Sequence, residues 1–304
     1  MAETAQQVPN PYRTTNDLIW EGVEAPREEF GRLQPPWPIP EKIAIKADIG
    51  HHYRAPDVIR ISLECLDAGA GAVHLHVRDD DGKDTGDIGL WREVVGEIRR
   101  QAGDDVVIDS GLRGDSLEER LLHIREGLFD VVALLPSWDP RYLEYPIKEA
   151  REAGVSTEIV CWDATDISLA KSGLIDTGLF DRPARWLLVP STPYYGMPMP
   201  TPELMVRGAM HMVDLVRAVD PEGIITFSAA GRPGSYFLGL AVLLGLHIRP
   251  GLGETHWRWP HSEDFAEDAV ELIQDAADLS KALGRTPADS AEFRALTGMP
   301  ARRG

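Results

Sequence analysis

Cysteine is scarce in this 304-residue chain, occurring only at Cys65 and Cys161. Each lies in an apolar segment, far from the other and outside any Cys-x-x-Cys or Cys/His pattern. A disulfide framework and a thiolate metal site are therefore not expected, whereas two buried free thiols in a reducing compartment are. Long hydrophobic runs are missing as well. The longest, FLGLAVLLGL (237–246), spans ten residues. That is about half of what a bilayer crossing requires, so it reads as a buried helix. The opening stretch MAETAQQVPNPYRTTN has no basic-then-apolar leader, and a cytoplasmic, non-membrane protein is the expectation. Positive charge is the third shortage: 31 Lys and Arg stand against 49 Asp and Glu, a net charge of −18. This balance argues against nucleic acid or anionic membrane as a partner, but permits a local basic pocket for a small anionic substrate. No G-x-G-x-x-G follows the first expected strand, no segment repeats, and no tract is of low complexity.

The rest of the composition is that of an ordinary enzyme with a sizeable core, 43% hydrophobic and 26% charged. Residues 1–40 are polar and proline-rich; LQPPWPIP (33–40) holds four prolines, which exclude helix and sheet interior. We expect an extended N-terminal arm there, with Tyr12, Trp20, Phe30 and Trp37 available for packing. From residue 41 to 304 we expect one catalytic domain. Strand-like apolar runs at 42–50, 72–78, 106–111, 129–136, 156–163, 185–191, 223–231 and 246–253 alternate with amphipathic helices at 56–70, 89–103, 116–127, 142–154, 166–178, 201–220, 235–245 and 262–284. Eight such units fit an α/β protein of the closed (β/α)8 TIM barrel class, with an open doubly wound sheet as the second reading.

In such barrels chemistry sits at the C-terminal ends of the strands. AVHLHVRD (72–79) places His74 and His76 there. Residues i and i+2 of a strand share a face, roughly 7 Å apart along it. Val73, Leu75 and Val77 take the other face as core. Two imidazoles side by side can bind a divalent metal through neutral ring nitrogens, or can be satisfied polar residues of a barrel interior. Asp109 and Ser110, Ser137, Asp163, and Arg249 with Glu254 fall at other strand ends. Arg232 and Ser235 open the seventh helix, where backbone N–H groups could hold an anion.

Five segments together resemble the β-keto acid cleavage enzymes: VHLHVRD (73–79), DGKDTG (81–86), TPE (201–203), HIRPGLGE (247–254) and ALGRTPADSAEFRALTG (282–298). The resemblance covers the chain from about residue 42 onward. It implies a homo-oligomeric enzyme using a divalent metal, usually Zn2+, held by His74, His76 and a glutamate after the eighth strand. It also implies condensation of a keto acid with acetyl-CoA and cleavage to acetoacetate and a new CoA thioester. Arg249 matches the arginine of the eighth-strand motif. Gly253 stands where the family's ligand glutamate falls, and Glu254 where its catalytic aspartate falls. Glu254 is then either the third metal ligand or the base. Val160 replaces an acidic residue on the fifth strand, for which Glu158 could substitute on the same face. Ser110, in the altered DSG (109–111), is a hydrogen-bonding candidate for substrate, and Ser137 and Arg232 are candidate substrate contacts. Two other readings remain open: a metal-assisted carbon–carbon lyase or aldolase without CoA, and a non-catalytic binding protein on the same scaffold.

Overall fold

The structure is a computed structural model in which residues 35–190, 199–228 and 230–300 are described. The chain divides between Ile39 and Pro40, and the expected arm over 1–40 lies almost wholly outside the described residues. From Pro40 on, eight short parallel strands form one sheet in sequence order. They are β2 (Lys46–Asp48), β3 (Ala72–His74), β4 (Val107–Gly111), β5 (Val131–Leu134), β6 (Ser156–Cys161), β7 (Arg185–Leu188), β8 (Ile224–Ser228) and β9 (His247–Arg249). The sheet closes on itself: Ile45 bridges Ile248, Asp48 bridges Gly251, and Asp48 N–H donates to Pro250 O at 2.8 Å. The expected (β/α)8 barrel is thus the observed fold. A two-residue strand β1 (Lys42–Ile43) pairs with β10 (Thr286–Pro287) below the barrel.

Helices follow the strands as expected: α1 (Ala55–Asp67), α2 (Ile88–Ala102), α3 (Leu117–Arg125), α4 (Pro140–Ala153), α5 (Ala164–Ala170), α6 (Pro202–Val219), α7 (Gly234–Leu243) and α8 (Ala269–Ala282), then α9 (Ser290–Leu296). Several begin at an Asp, Ser or Thr whose side chain accepts an otherwise unpaired first-turn N–H. Asp87 takes that of Leu90, Asp163 those of Thr165 and Asp166, and Ser116 forms a reciprocal box with Glu119. The elements differ from expectation at their ends. The strand expected over 42–50 splits, because Lys42–Ile43 pairs with β10. That expected over 246–253 stops at Arg249, because Gly251 turns the chain onto β2. The helix expected over 166–178 ends in a π turn at Lys171–Ile175.

Packing sorts the strand residues by face. The outward set, including Ile45, Ala47, Val73, Leu75, Ile108, Val132, Ile159 and Trp186, is buried against the helices. Inside, Ala44, Ala72, Val107 and Val131 stack on Phe293 of α9, which stoppers the bottom. Above them Lys46 reaches across the barrel to Asp109 (2.8 Å) and Glu158 (2.6 Å). The upper interior is divided: Ala133, Val160, Leu187 and Val189 make an apolar half, while Asp48, His74 and Arg249 make a polar one.

Gly251 sets the seam. At φ +145° it takes a backbone conformation that L side chains rarely adopt, and a Cβ there would fall on the Asp48 carbonyl oxygen. Gly251→Ala is expected to cost about 2–4 kcal/mol by combined strain and seam opening. Urea unfolding checks this; a loss under about 0.5 kcal/mol, the range of ordinary surface changes, would refute it.

Candidate active site at the barrel mouth

Lys46 organises the site from below. Its ammonium holds Asp109 Oδ2, and the same oxygen lies 2.8 Å from His74 Nδ1. A carboxylate can only accept, so the imidazole proton sits on Nδ1 and the Nε2 lone pair faces the cavity. Asp109 Oδ1 has no hydrogen-bond partner. β3 ends at His74, so His76 lies in the following loop rather than on the strand. Even so, its Nε2 stands 3.1 Å from His74 Nε2. Burial pushes His74 well below the usual histidine range, with Arg249 adding to the effect. Burial likewise pushes His76 down to about 4, against the pull of Asp84. Both rings are neutral at pH 7.

Arg113 flanks His76 on its outer side. A guanidinium nitrogen lies 2.7 Å from His76 Nδ1 and 3.2 Å from Nε2, and Arg113 Nε is 3.4 Å from Asp84 Oδ2. The His51 ring packs against His76 with centroids 3.7 Å apart.

On the other wall, Arg249 is ion-paired with Glu254, lies 3.5 Å from Asp48 Oδ2, and donates to Ser228 Oγ at 3.4 Å. Burial disfavours the Glu254 carboxylate and Asp48 repels it; together they outweigh Arg249 and raise Glu254 to about 7. Asp48 is buried too, but Arg249 and the two histidines outweigh that and hold it at about 2. Asp48, His51, His74, His76, Arg113, Arg249 and Glu254 line one cavity of about 190 Å³ whose remaining wall is largely apolar, from Leu135, Trp138, Val160 and Trp162.

The chemistry of the histidine pair suits a divalent metal. Zinc–nitrogen bonds of about 2.0–2.1 Å let one ion bridge two nitrogens at nearly this separation, and Asp109 fixes the first ring as an outer carboxylate should. The set is not closed as it stands. Among the described residues no group of three or more His, Cys, Asp or Glu is gathered closely enough to hold an ion, and the Arg113 cation rests against His76.

Comparison with known proteins decides the class. The family description "beta-keto acid cleavage enzyme" matches residues 53–299. The chain belongs to the β-keto acid cleavage enzyme family. The 3-keto-5-aminohexanoate cleavage enzyme of Acetoanaerobium sticklandii is 26% identical over 267 residues, covering 81% of this chain and 90% of that protein. The 3-oxoadipate:acetyl-CoA acetyltransferase of Cupriavidus necator is 25% identical over 249 residues, covering 77% and 83%. Among solved structures, apo ObcA superposes with a TM-score of 0.68 at 17% identity, over 82% of this chain and 66% of that one, a likeness of fold.

Within this family member the expected site residues separate into two groups. His74, His76, Arg249 and Glu254 line the same cavity. The other four do not. Ser110, one residue past the inward-facing Asp109, points to the outer face and donates to Leu75 O at 3.0 Å. Ser137 is exposed, while its neighbours Leu135 and Trp138 line the cavity instead. Glu158 faces inward as expected, but lies beneath the cavity on Lys46. Arg232 is engaged by Ser262 O and Glu263 and stacks on Trp257. Lys46, Asp48 and Asp84 were missed as site residues; for Lys46 and Asp48 the alternation with Ile45, Ala47 and Ile49 was the available signal, but it also fits a solvated face, and the polar DGKDTG (81–86) carries no such signal for Asp84. The proline-rich loop PYYGMPMP (193–200) lies largely outside the described residues.

Proposed function

We propose that this enzyme cleaves a β-keto acid with acetyl-CoA as co-substrate, giving acetoacetate and a new CoA thioester, with a divalent metal at the histidine pair. One observation carries the reading: a carboxyl raised to about 7, Glu254, shares a cavity with two neutral histidines whose Nε2 atoms converge. A β-keto acid needs that combination. Its methylene, flanked by a ketone and a carboxylate, is acidic enough for a carboxylate base. The two named relatives support the substrate class, since 3-keto-5-aminohexanoate and 3-oxoadipate are both β-keto acids.

In this reading Glu254 removes a methylene proton, and Arg249 positions its carboxylate. The carbanion attacks the acetyl carbonyl of acetyl-CoA and displaces the thiolate. The thiolate then adds to the original ketone carbon. The bond between that carbon and the methylene carbon breaks, its electron pair leaves with the acetoacetate fragment, and Glu254 returns the proton. Arg113, the cationic group on the outer wall, meets the substrate carboxylate bidentately. A divalent metal, when bound, supplies positive charge against the ketone oxygen as electron density builds there. Trp138, Trp162, Leu135 and Val160 shape the pocket for the variable end of the substrate.

The test is product analysis with a panel of β-keto acids, with and without acetyl-CoA, before and after chelation. Acetoacetate should form only with acetyl-CoA present, and chelation should stop it reversibly. Consumption of keto acid without acetyl-CoA would instead support a CoA-independent lyase. A second measurement addresses Arg113, which competes with an ion for His76: Arg113→Ala should bind Zn2+ at least as tightly as the wild type by titration calorimetry. Marked weakening would show that Arg113 organises the pair rather than opposing its occupation.

A further inference from the structure

The site has a histidine pair and no side chain at position 253, where the family resemblance puts a ligand. What fills that place is visible. A Cβ built on Gly253 would collide with the Asp48 carboxylate, with both oxygens and Cγ far inside the 3.0 Å limit of real Cβ contacts. Asp48 comes from β2, on the other side of the barrel seam, yet its carboxylate occupies the volume in which a side chain at 253 would begin. A side chain at 253 and the Asp48 carboxylate in its present rotamer cannot occupy this volume together; one of them has to turn aside.

Asp48 is also suitably placed toward the histidines. It is the register partner of His74 on the adjacent strand, so the two side chains leave the sheet side by side on the inner face. It is 1% exposed and lines the same cavity as His74 and His76. Its present partners leave capacity for another. Oδ1 accepts from Gly50 N–H at 3.2 Å, and Oδ2 has only the loose 3.5 Å approach of Arg249. Of the other acids at the mouth, Glu254 is occupied by its close pairing with Arg249, and Asp84 lies on the outer side of His76 against Arg113.

We propose that Asp48 is the third protein ligand of a divalent metal, completing a two-histidine, one-carboxylate set whose acid has moved from the segment after β9 to the end of β2. The assignment rests on the metal-dependent reading above. It leaves Glu254 free as the base and requires side-chain rotation of Asp48 and withdrawal of Arg113 from His76, without a change of register. Three protein ligands with an open position match the usual composition of a catalytic zinc site.

The experiment is metal binding, read without turnover: Zn2+ titration calorimetry, and Co2+ absorption as a signature of ligand number. Wild type should bind one ion. Asp48→Asn, which keeps the shape and the backbone contact, should weaken binding by more than about 100-fold, beyond the 10–100-fold typical of an outer-shell partner. Glu254→Gln should keep wild-type affinity and the wild-type Co2+ spectrum. The double variant Asp48→Gly/Gly253→Glu should regain affinity over Asp48→Asn, because it restores one carboxylate to the same volume from the other side of the seam. Asp48→Asn binding as tightly as wild type, or Glu254→Gln losing the ion instead, would overturn the assignment while leaving metal-dependent cleavage intact. A wild type that binds no divalent ion would overturn both the assignment and the metal in the proposed function. Acetyl-CoA-dependent acetoacetate formation would still be judged separately, by product analysis.

Discussion

Glu254→Gln should lower kcat by about 10²–10⁴-fold, the usual worth of a positioned acid–base group. The amide keeps the size of the side chain and can still meet Arg249, but it cannot accept a proton from carbon. The effect should fall on kcat more than on KM, because Glu254 acts on the methylene and does not hold the carboxylate. The pH profile supplies an independent readout. Glu254 is raised to about 7 by burial and by Asp48, so it is protonated and idle below that value. The kcat/KM of wild type should therefore rise with pH along a limb near 7, and that limb should be missing from the residual activity of Glu254→Gln. The stability linkage has the opposite sense. A carboxyl whose folded pKa is raised above its ordinary 4.5 contributes stability at low pH, and loses it as pH rises through about 7. Glu254→Gln should flatten that decline in urea titrations. Unchanged kcat in Glu254→Gln, with the limb retained, would assign the base elsewhere.

The barrel was legible in the sequence because parallel strands buried on both faces read as apolar runs, and eight of them alternated with helices. Strand ends were less legible. AVHLHVR looks uniform over 72–78, yet ladder pairing stops at His74, and His76 meets its partner from a loop. The pairing of the two histidines survived this error because a chain leaving the strand at the barrel mouth still turns inward. The charged interior was hidden for a different reason. In KIAIKADIG the period of two puts Lys46 and Asp48 on one face, and nothing local distinguishes a face turned to solvent from one turned into a barrel. The answer depends on Asp109 and Glu158, which sit on strands far away in sequence. Gly253 was likewise visible as a gap in a motif, whereas the carboxylate filling that gap comes from β2 and emerges only when the seam closes. Ser110 illustrates the converse: adjacent to an inward aspartate, it has to face outward by strand geometry.

Lys46→Met should be the most destabilising single change at the site, by about 3–5 kcal/mol in urea unfolding. Lys46 is 2% exposed, and its ammonium lies between two buried carboxylates at 2.8 and 2.6 Å. Burial alone would lower its pKa, but Asp109 and Glu158 outweigh that and raise it, so the lysine is charged at any pH where the protein works. Methionine fills the same channel with no charge, leaving two carboxylates facing each other in a medium that solvates neither. At least one must then take up a proton. If Asp109 does so, it can donate to His74 Nδ1, the ring tautomer inverts, and the Nε2 lone pair no longer faces the cavity. Lys46→Met is thus expected to weaken Zn2+ binding by about 10–100-fold, as for loss of an outer-shell partner, in addition to its cost in stability. The double variant Lys46→Met/Glu158→Leu separates the two effects. It removes one of the two stranded charges, so stability should partly recover. Asp109 is then a lone buried carboxylate bonded to His74, so metal affinity should recover less. Lys46→Met within about 1 kcal/mol of wild type would mean that the trio is solvated, and that the fixed tautomer of His74 has another cause.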